Sequence, residues 1–402
     1  MLNEKTQQRM LAYTARVGAI TPIAGADNIE LISVLGWKCI AKKGEFHEGD
    51  MCVYFEIDSK VPAKEWSAFL EPKGYKIKTM KLSKFGVISQ GLALPVDAFD
   101  VKIPEEEYAD CTALLGVTYS VAEDNQRKAA NVDPKAKYVS MKARHPKVFK
   151  TRFAKWMMKR EWGRRVMFAL FGKKKDTPKG WPVGEFPGVA KTDQDRVQCM
   201  TWVLDDKTPY IRTQKCDGSS GTFILARKGR RKFEFYVCSR NVRMADENQT
   251  SFYGEHNYYW EVAKKYDIEA KMRQYLIDHP ELTFVCWQGE ICAPGIQKNP
   301  QKLTETHLFC FHWTDDTGRW DIRRAAVEWK KIGMEVVPID EQEYILPDTI
   351  EEISATADGY YDASVCEGNP KCPREGYVYY KTTDPTFSFK NVSVKYLLKH
   401  DQ

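Results

Sequence analysis

Lys215 is the residue whose setting points most directly to chemistry, because it opens the run Lys-Cys-Asp-Gly-Ser-Ser. A lysine amine attacks the α-phosphate of a nucleotide only when it is neutral, and its ordinary pKa is about 10.4. A reactive site must therefore lower that pKa through neighbouring cations, a metal or burial. Asp217 can hold a metal-bound water, and Gly218 permits a tight backbone turn. Taken alone, the motif is more typical of an exposed turn with an ordinary lysine.

Five further motifs follow Lys215 along the chain. They are Ser239-Arg-Asn241, Phe284-Val-Cys-Trp-Gln-Gly-Glu290, Leu308-Phe-Cys-Phe-His312, Arg374-Glu-Gly-Tyr-Val378 and Phe387-Ser-Phe-Lys390. With Lys215-Cys-Asp-Gly218, this series resembles the covalent nucleotidyltransferase superfamily of ATP-dependent ligases and capping enzymes. A single match carries little weight, whereas six in the family's order are strong evidence.

The rest of the chain narrows this resemblance. Residues 48–62, 191–198 and 390–399 resemble segments of the nick-sealing RNA ligases of the Deinococcus and Naegleria type. The resemblance implies an α+β protein. An N-terminal OB-like β-barrel would precede a nucleotidyltransferase domain of the ATP-grasp-like ligase type, with antiparallel sheets flanked by helices. Residues 141–180 have no counterpart in this resemblance, and we interpret them as an insertion.

The superfamily implies a reactive centre around Lys215, which would be the nucleophile. Glu290 and Glu375 would hold a divalent cation and the ribose hydroxyl, and Asp217 would join them through water. Such a cation would neutralise the triphosphate and help to lower the lysine pKa. The expected metal set is therefore Glu290, Glu375 and Asp217.

Two later lysines are expected to assist catalysis. Lys390 would stabilise the charge that develops on the α-phosphate, and Lys395 would support it. The family's pair of lysines two residues apart is not reproduced, because Ser388 stands two residues before Lys390. The sequence therefore leaves open which lysine plays which part.

The remaining implied contacts concern the nucleotide and the nucleic-acid ends. Arg240 would hold the ribose, and Arg196 would hold a phosphate or the 3′-OH end. Phe311 would stack on adenine, with Phe309 on the same strand face as the competing choice. The predicted nucleotide-binding residues are Lys215, Asp217, Gly218, Arg240, Glu290, Phe311, Phe309 and Lys390.

The positive charge of the chain is concentrated in one segment. The formal net charge is +6, yet residues 141–180 carry 14 Lys/Arg against two acids. Aromatic and cationic residues alternate there, which predicts a basic amphipathic helix that contacts nucleic acid through Lys155, Arg164 and Arg165. A solvated surface helix, or one that touches a membrane or a partner, is the alternative.

Hydrophobic patterning predicts three regions. Short alternating strands around Arg16–Ile23, Ile29–Leu35 and Met51–Ile57 predict an OB-like barrel over residues 1–100. Residues 101–188 form a connecting region that contains the basic insertion, and residues 189–402 form the adenylyltransferase domain. Within that domain we predict helices over Tyr258–His279 and Ile322–Ile332. The predicted strands are Gly221–Ala226, Lys232–Val237, Leu282–Gln288, Leu308–Trp313 and Gly376–Tyr380.

Several classes of protein are disfavoured. No apolar run of about 18 residues is present, so a membrane span is not expected. The eleven cysteines include no Cys-x-x-Cys pair, which argues against a structural zinc site and favours reduced thiols. An intracellular, cytoplasmic and monomeric protein is expected.

These observations predict an ATP-dependent RNA ligase that seals 3′-OH and 5′-phosphate ends or nicks through a lysyl–AMP. ATP with Mg²⁺ or Mn²⁺ is the expected cofactor set, and nicked duplex RNA or broken RNA ends are the expected partner. The alternatives are a DNA ligase, a capping guanylyltransferase that uses GTP, and a non-catalytic nucleic-acid-binding protein.

Overall fold

The computed structural model describes residues 1–3, 8–119, 146–171, 179–182, 184–244, 247, 256–366 and 371–400. Residues 141–145 and 172–178 of the predicted basic insertion lie outside these ranges, as do 120–140 of the predicted connecting region. The chain forms two compact units. One comprises residues 1–119 and 180–402, and the other comprises residues 120–179.

The N-terminal region contains one five-stranded antiparallel sheet and two smaller two-stranded sheets. Its strands are β1 (Ala12–Pro22), β2 (Ile29–Val34), β3 (Trp37–Lys42), β4 (Met51–Phe55), β5 (Ser59–Lys60), β6 (Met80–Leu82), β7 (Val87–Ser89), β8 (Leu92–Pro95) and β9 (Thr118–Tyr119). The main sheet has the order β3-β2-β1-β4-β8. It curls, because the Gln90 amide beside β8 donates a hydrogen bond of 2.7 Å to the Lys38 carbonyl oxygen of β3. The predicted OB-type sheet is thereby confirmed.

Alternation along β1 explains why the sheet has a core on each side. Tyr13 and Ala15 pack with Trp37 on one face, whereas Ala12 packs with Phe55 on the other. Successive side chains of a strand point to opposite faces, so one strand contributes to both cores. Short 3₁₀ helices at Glu65–Lys73 and Val96–Ala98 complete this region.

The second unit contains three short helices in place of the single basic helix that the sequence predicts. They are α1 (Pro146–Phe149), α2 (Arg152–Met158) and α3 (Glu161–Phe171). Thr151 is the N-cap of α2, because its hydroxyl accepts a hydrogen bond of 3.2 Å from the Ala154 amide. A small core of Phe149, Ala154, Met157 and Met167 holds them together.

The strand β10 (Lys179–Gly180) leads into an α+β region that contains two antiparallel sheets. Its first strands are β11 (Tyr210–Lys215), β12 (Ser219–Arg227), β13 (Phe233–Ser239) and β14 (Val242–Met244). They are followed by β15 (Phe284–Cys292), β16 (His307–Asp315), β17 (Gly318–Arg319), β18 (Glu335–Val336), β19 (Ile339–Tyr344), β20 (Gly376–Lys381) and β21 (Asp384–Val392). Strands β14, β13, β12, β15, β16 and β17 adjoin in that order, with β18 parallel to β16. The other sheet has the order β19-β11-β20-β21.

Helices cover these sheets. They are α4 (Tyr258–Lys265), α5 (Ile268–Asp278), α6 (Ile322–Lys331), α7 (Ile350–Thr356) and α8 (Val394–His400). Short 3₁₀ helices lie at Val197–Cys199, Thr201–Asp205 and Ala363–Val365. The single helix predicted over Tyr258–His279 is wrong, because Asp267 adopts a left-handed conformation with φ of 49° and separates α4 from α5. A large core between α4, α5, α6 and the sheet that contains β15 includes Trp287, Trp313 and Trp329.

Candidate active site

Lys215 is the last residue of β11, and its side chain lies against that of Glu375. Strands β11 and β20 pair so that Lys215 is opposite Gly376, which places Glu375 just before the start of β20. The Lys215 Nζ donates a hydrogen bond of 2.7 Å to Glu375 Oε2. The two side chains are 24% and 15% exposed, so the pair lies in a recess rather than on an open surface.

Tyr361 fixes the backbone on both sides of this pair. Its hydroxyl donates to the Lys215 carbonyl oxygen at 2.9 Å and accepts from the Glu375 amide at 3.1 Å. The side chain of Tyr361 is itself buried. The lysine and its carboxylate partner are therefore held by one rigid phenol.

The protein groups alone raise the pKa of Lys215. Burial opposes the charged amine, but the carboxylates of Glu375 and Glu290 outweigh burial and favour the ammonium form. The lowering that the sequence predicts requires neighbouring cations, a metal or burial. The side chains next to Lys215 are instead acids, so another positive charge must offset them before the amine becomes neutral.

Two acids of the site have pKa values above their ordinary range. Burial, reinforced by the charge of Glu375, raises the pKa of Glu290 to about 7 despite Lys215 and Arg240. Burial and Glu375 also raise the pKa of Asp217 to about 7, although the Tyr396 hydroxyl donates a hydrogen bond to its carboxylate. Negative charge is thus under-compensated in this recess.

This donor set fits a hard divalent cation in its chemistry. Within the described ranges, no three His, Cys, Asp or Glu side chains are grouped closely enough to hold a metal by themselves. Mg²⁺ is commonly held by one or two carboxylates together with water and substrate phosphates. Glu290 and Glu375 supply two such carboxylates, and the metal role of Asp217 stays a prediction.

Gly218 is required by the close approach of β15. A Cβ at this position would lie 2.4 Å from the Ile291 carbonyl oxygen and 3.0 Å from the Glu290 Cγ. Any side chain would push the turn after Lys215 away from the strand that carries Glu290. The glycine of the motif therefore allows Lys215 and Glu290 to lie close together.

A second ion pair closes another side of the recess. The Lys390 Nζ donates a hydrogen bond of 3.1 Å to Asp193 Oδ1, and the Arg240 Nη1 lies 4.0 Å from Asp193 Oδ2. Burial opposes ionisation of Asp193, but Lys390 and Arg240 outweigh it and lower its pKa. Burial lowers the pKa of Lys390. The predicted Lys390 and Arg240 thus share one carboxylate.

The two candidate aromatic residues lie in different environments. Phe309 is 2% exposed and belongs to the core beneath the site, where it stacks on His307. Phe311 is half-buried and faces the recess. A β-bulge separates them, because Gln288 pairs with His312 and Gly289 pairs with Cys310, which leaves Phe311 as the extra residue. Phe311 is therefore the aromatic available to a base.

The structure brings most of the predicted residues into one recess. Its lining includes Lys215, Arg240, Glu290, Phe311 and Lys390 together with Asp193. Glu375 adjoins it through the contact with Lys215. The predicted reactive centre is thus one continuous site.

Two predicted residues are engaged elsewhere. Lys395 is 79% exposed and forms an ion pair of 3.0 Å with Asp358, outside the recess lining. Arg196 is 7% exposed, and its Nη2 donates a hydrogen bond of 3.3 Å to Asp58 of the N-terminal region. Its guanidinium carbon also lies 5.7 Å from the centre of the Trp37 ring. Arg196 therefore ties the two sheet regions together in this structure.

The predicted nucleic-acid residues of the basic segment lie on the surface of the second unit. Lys155, Arg164 and Arg165 are all exposed. Arg165 donates to Glu161 at 2.9 Å, while Arg160 lies over the Trp156 ring at 3.9 Å.

Among the described residues, no helix has the length and apolar character required to cross a membrane.

Sequence reasoning missed three groups of this site. Asp193, which binds Lys390 and Arg240, lies within residues 191–198, whose likeness to the RNA ligases did not by itself mark the acid as a site residue. Tyr361 and Tyr396 contact Lys215 and Asp217 from distant parts of the chain. A lone tyrosine carries no spacing signal, whereas Asp193 was detectable as an acid within a family-like segment.

Comparisons with known proteins agree with this geometry. Residues 11–96 match a family model of an OB-fold domain, and residues 208–397 match the RNA ligase family model. An RNA ligase from Naegleria gruberi with pyrophosphate has a similar structure, with a TM-score of 0.71 and 27% identity over 98% of this chain and 99% of that one. A lysine-to-alanine variant of that ligase with ATP and Mn gives a TM-score of 0.70 and 28% identity over 98% of each chain. A search of the curated proteins gives no match.

Proposed function

This chain belongs to the RNA ligase family, and from that premise we propose that it is an ATP-dependent RNA ligase that acts through a lysyl–AMP on Lys215. One observation carries the proposal. The Lys215 amine lies in a recess with two acids, Glu290 and Glu375, while Lys390 and Phe311 line the same recess. This arrangement supplies a nucleophile, groups for a cation, a countercharge for phosphate and a face for a base.

The first step forms a bond between the Lys215 Nζ and the α-phosphorus of ATP. The bond from that phosphorus to the bridging oxygen breaks, pyrophosphate leaves and the amine gives up a proton. Lys390 is buried close enough to stabilise charge on the α-phosphate oxygens once it turns from Asp193. Phe311 positions the base by stacking.

A divalent cation, Mg²⁺ or Mn²⁺, would offset the carboxylates and polarise the phosphates. We propose that Glu290 and Glu375 hold it, with Asp217 contributing through water. The raised pKa of Lys215 supports this proposal, because the two acids that favour the ammonium form would then be neutralised by another charge.

The second and third steps transfer the nucleotide and seal the strand. An oxygen of an RNA 5′-phosphate attacks the phosphorus of lysyl–AMP, the P–N bond breaks and the amine recovers its proton. The RNA 3′-OH then attacks the 5′-phosphate, a phosphodiester forms, AMP leaves and the hydroxyl proton is released. Each step is an in-line transfer in which positioning and charge stabilisation dominate.

We further propose a nicked duplex or broken RNA ends as substrate, and a monomer as the active form. Lys155, Arg164 and Arg165 are proposed to contact the nucleic acid, since they are exposed cations beside exposed aromatic residues. Residues 1–100, 101–188 and 189–402 remain the proposed domains. All eleven cysteines are free thiols, which supports a reducing, intracellular setting.

Incubation with α-labelled ATP or GTP, followed by RNA or DNA nicks, tests the proposal. We expect a covalent label from ATP, loss of that label with Lys215→Ala, and sealing of an RNA nick. Lys207→Ala is the matched control, because Lys207 is an exposed lysine that pairs with Asp348. Label from GTP alone would identify a guanylyltransferase, and sealing restricted to DNA would identify a DNA ligase. Absence of any label would favour a non-catalytic nucleic-acid-binding protein.

A further inference from the structure

A cleft lined by lysines lies outside the nucleotide recess. It has a volume of about 580 Å³, and its lining includes Lys73, Lys76, Lys78, Lys81, Thr79 and Leu398. Five of these residues come from the N-terminal region, and Leu398 comes from helix α8. The sequence patterning did not single out this cluster, because its lysines are interspersed with apolar residues.

The segment that supplies most of the cleft lining carries only positive charge. Residues 72–96 contain five lysines and no acid. Lys73 and Lys81 are exposed, while Lys76 and Lys78 are half-buried. Ammonium groups gathered around a concave surface raise the local concentration of anions.

Thr79 provides an independent sign of a ligand. Its side chain is 6% exposed, lines the cleft, and its hydroxyl has no hydrogen-bond partner within the part of the chain that the structure describes. Buried hydroxyls are nearly always paired, because losing water without replacement costs free energy. A ligand oxygen in the cleft would accept this hydrogen bond.

Helix α8 lies between the cleft and the recess around Lys215. The Tyr396 hydroxyl donates to the Asp217 carboxylate, whereas Leu398 lines the cleft two residues later. Two residues advance a helix by about 3 Å and turn it by roughly 200°. The cleft and the Lys215 motif therefore contact opposite sides of α8.

We propose that this lysine cleft binds phosphodiester groups of the RNA substrate. Thr79 would donate to a phosphate oxygen, while the four lysines neutralise the backbone on either side of it. The inference rests on the proposed function, because it concerns the same RNA. Tetrahedral phosphate chemistry is shared with free phosphate, but several lysines around so large a cleft favour a polyanion over a single ion.

The test compares two lysines three positions apart. Lys81 lines the cleft, whereas Lys84 is exposed on the same hairpin but is absent from the lining. We expect Lys73→Gln combined with Lys81→Gln to weaken binding of a nicked RNA duplex by roughly tenfold or more at low salt. The slope of log affinity against log salt should fall by about 1 for each lysine that no longer pairs with a phosphate. Lys84→Gln should change neither quantity.

Further measurements separate the possible outcomes. The double variant should form lysyl–AMP at the parent rate yet seal nicks more slowly at limiting RNA. Thr79→Val should weaken RNA binding while leaving the salt slope unchanged, because it removes a donor and no charge. An unchanged affinity and salt slope in the double variant, with native circular dichroism, would overturn the inference.

Inorganic phosphate serves as the competing probe. If phosphate raises the melting temperature of the parent but not of the double variant, while RNA affinity is equal in both, the cleft is a free-anion site and the inference is wrong. Failure of the parent to form lysyl–AMP would instead count against the proposed function, so the two failures are distinguishable.

Discussion

Two buried groups of charges in the same unit show how differently acids can be used. In the first, the Arg9 Nε donates to Glu56 Oε2 at 2.5 Å, and Arg9 also contacts Asp58 and the Ile57 carbonyl oxygen. Burial alone would raise the pKa of Glu56, but Arg9 and the terminal amine outweigh it and lower the pKa to about 2. The acid is fully compensated.

The recess around Lys215 has the opposite balance. The pKa values of Glu290 and Asp217 are raised to about 7, although Lys215 and Arg240 lie near. Compensated buried charges support folding, whereas an excess of one sign favours binding of the missing charge. The comparison therefore separates a structural cluster from one that we propose to be reactive.

The largest effect should follow from removing an acid of the reactive recess. We expect Glu290→Gln to slow lysyl–AMP formation by two to three orders of magnitude, roughly the loss found when one charge-stabilising group is removed. The thermal midpoint without nucleotide should not fall, since an under-compensated buried charge is removed. Rates of label incorporation and melting curves measure both. Glu341→Gln is the control, because Glu341 is a half-exposed partner of Arg212.

Removing an acid of the compensated cluster should have the reverse effect. We expect Glu56→Gln to lower the free energy of unfolding by about 3 kcal/mol, because Arg9 is left buried with a weaker partner. Lysyl–AMP formation at a permissive temperature should stay at the parent rate. Denaturant titration and label incorporation test this, and a stable variant without activity would contradict the assignment.

The same cluster sets a pH dependence. Folding lowers the pKa of Glu56 from 4.5 to about 2, so its ionised form stabilises the fold above pH 4.5. That stabilisation is lost as the pH falls from 4.5 towards 2. Denaturant titrations between pH 4.5 and 2 should show this loss of stability in the parent protein but not in the Glu56→Gln variant. An identical profile for the two proteins would refute the role of Glu56.

A stacking aromatic should give a smaller effect on activity. Phe311→Ala should raise the KM for ATP about tenfold, since stacking on a base is worth roughly 1–3 kcal/mol. Phe309→Leu should leave the KM unchanged and lower the thermal midpoint, because Phe309 belongs to the core. Steady-state sealing assays and melting curves distinguish them. The opposite pattern would make Phe309 the base-stacking residue.

The smallest expected effect concerns the cation itself. Mg²⁺ or Mn²⁺ should raise the melting temperature of the parent by roughly 2 °C, because a ligand that binds only the folded state stabilises it. The shift should be absent from Glu290→Gln and retained in Glu56→Gln. Equal shifts in all three proteins would place the cation elsewhere.

Much of the reactive centre was predictable, because its residues lie in short motifs. Lys215 and Gly218 belong to one motif in which the glycine already indicated a tight turn, and the pairing of β12 with β15 brings Glu290 beside it. Many of the strands were likewise predicted from the alternation of apolar and polar residues. These features depend on local sequence, where patterns carry information.

Other features depend on tertiary contacts that no local pattern encodes. The pKa of Lys215 is decided by which acids fold against it, and the reach of Tyr361 depends on the pairing of β11 with β20. Lys395 follows the terminal motif, yet the rotation of α8 carries it to the surface. Asp267 was not recognised as a helix break, because an aspartate in a left-handed conformation interrupts no hydrophobic period.

The β-bulge at Phe311 separates the proposed base contact from the packing of the strand that carries it. Its extra residue lets Phe311 and His312 occupy the same side of the sheet, with the His312 ring 5.6 Å from that of Tyr380, while Trp313 returns to the core. Deleting Phe311 would leave a regular strand, in which Gly289 still pairs with Cys310 and Gln288 with His312, so residues 312–315 would keep their faces. Trp313 would stay in the core, so the residue proposed to stack on the base is an addition to this strand and its loss would leave the packing of the strand in place.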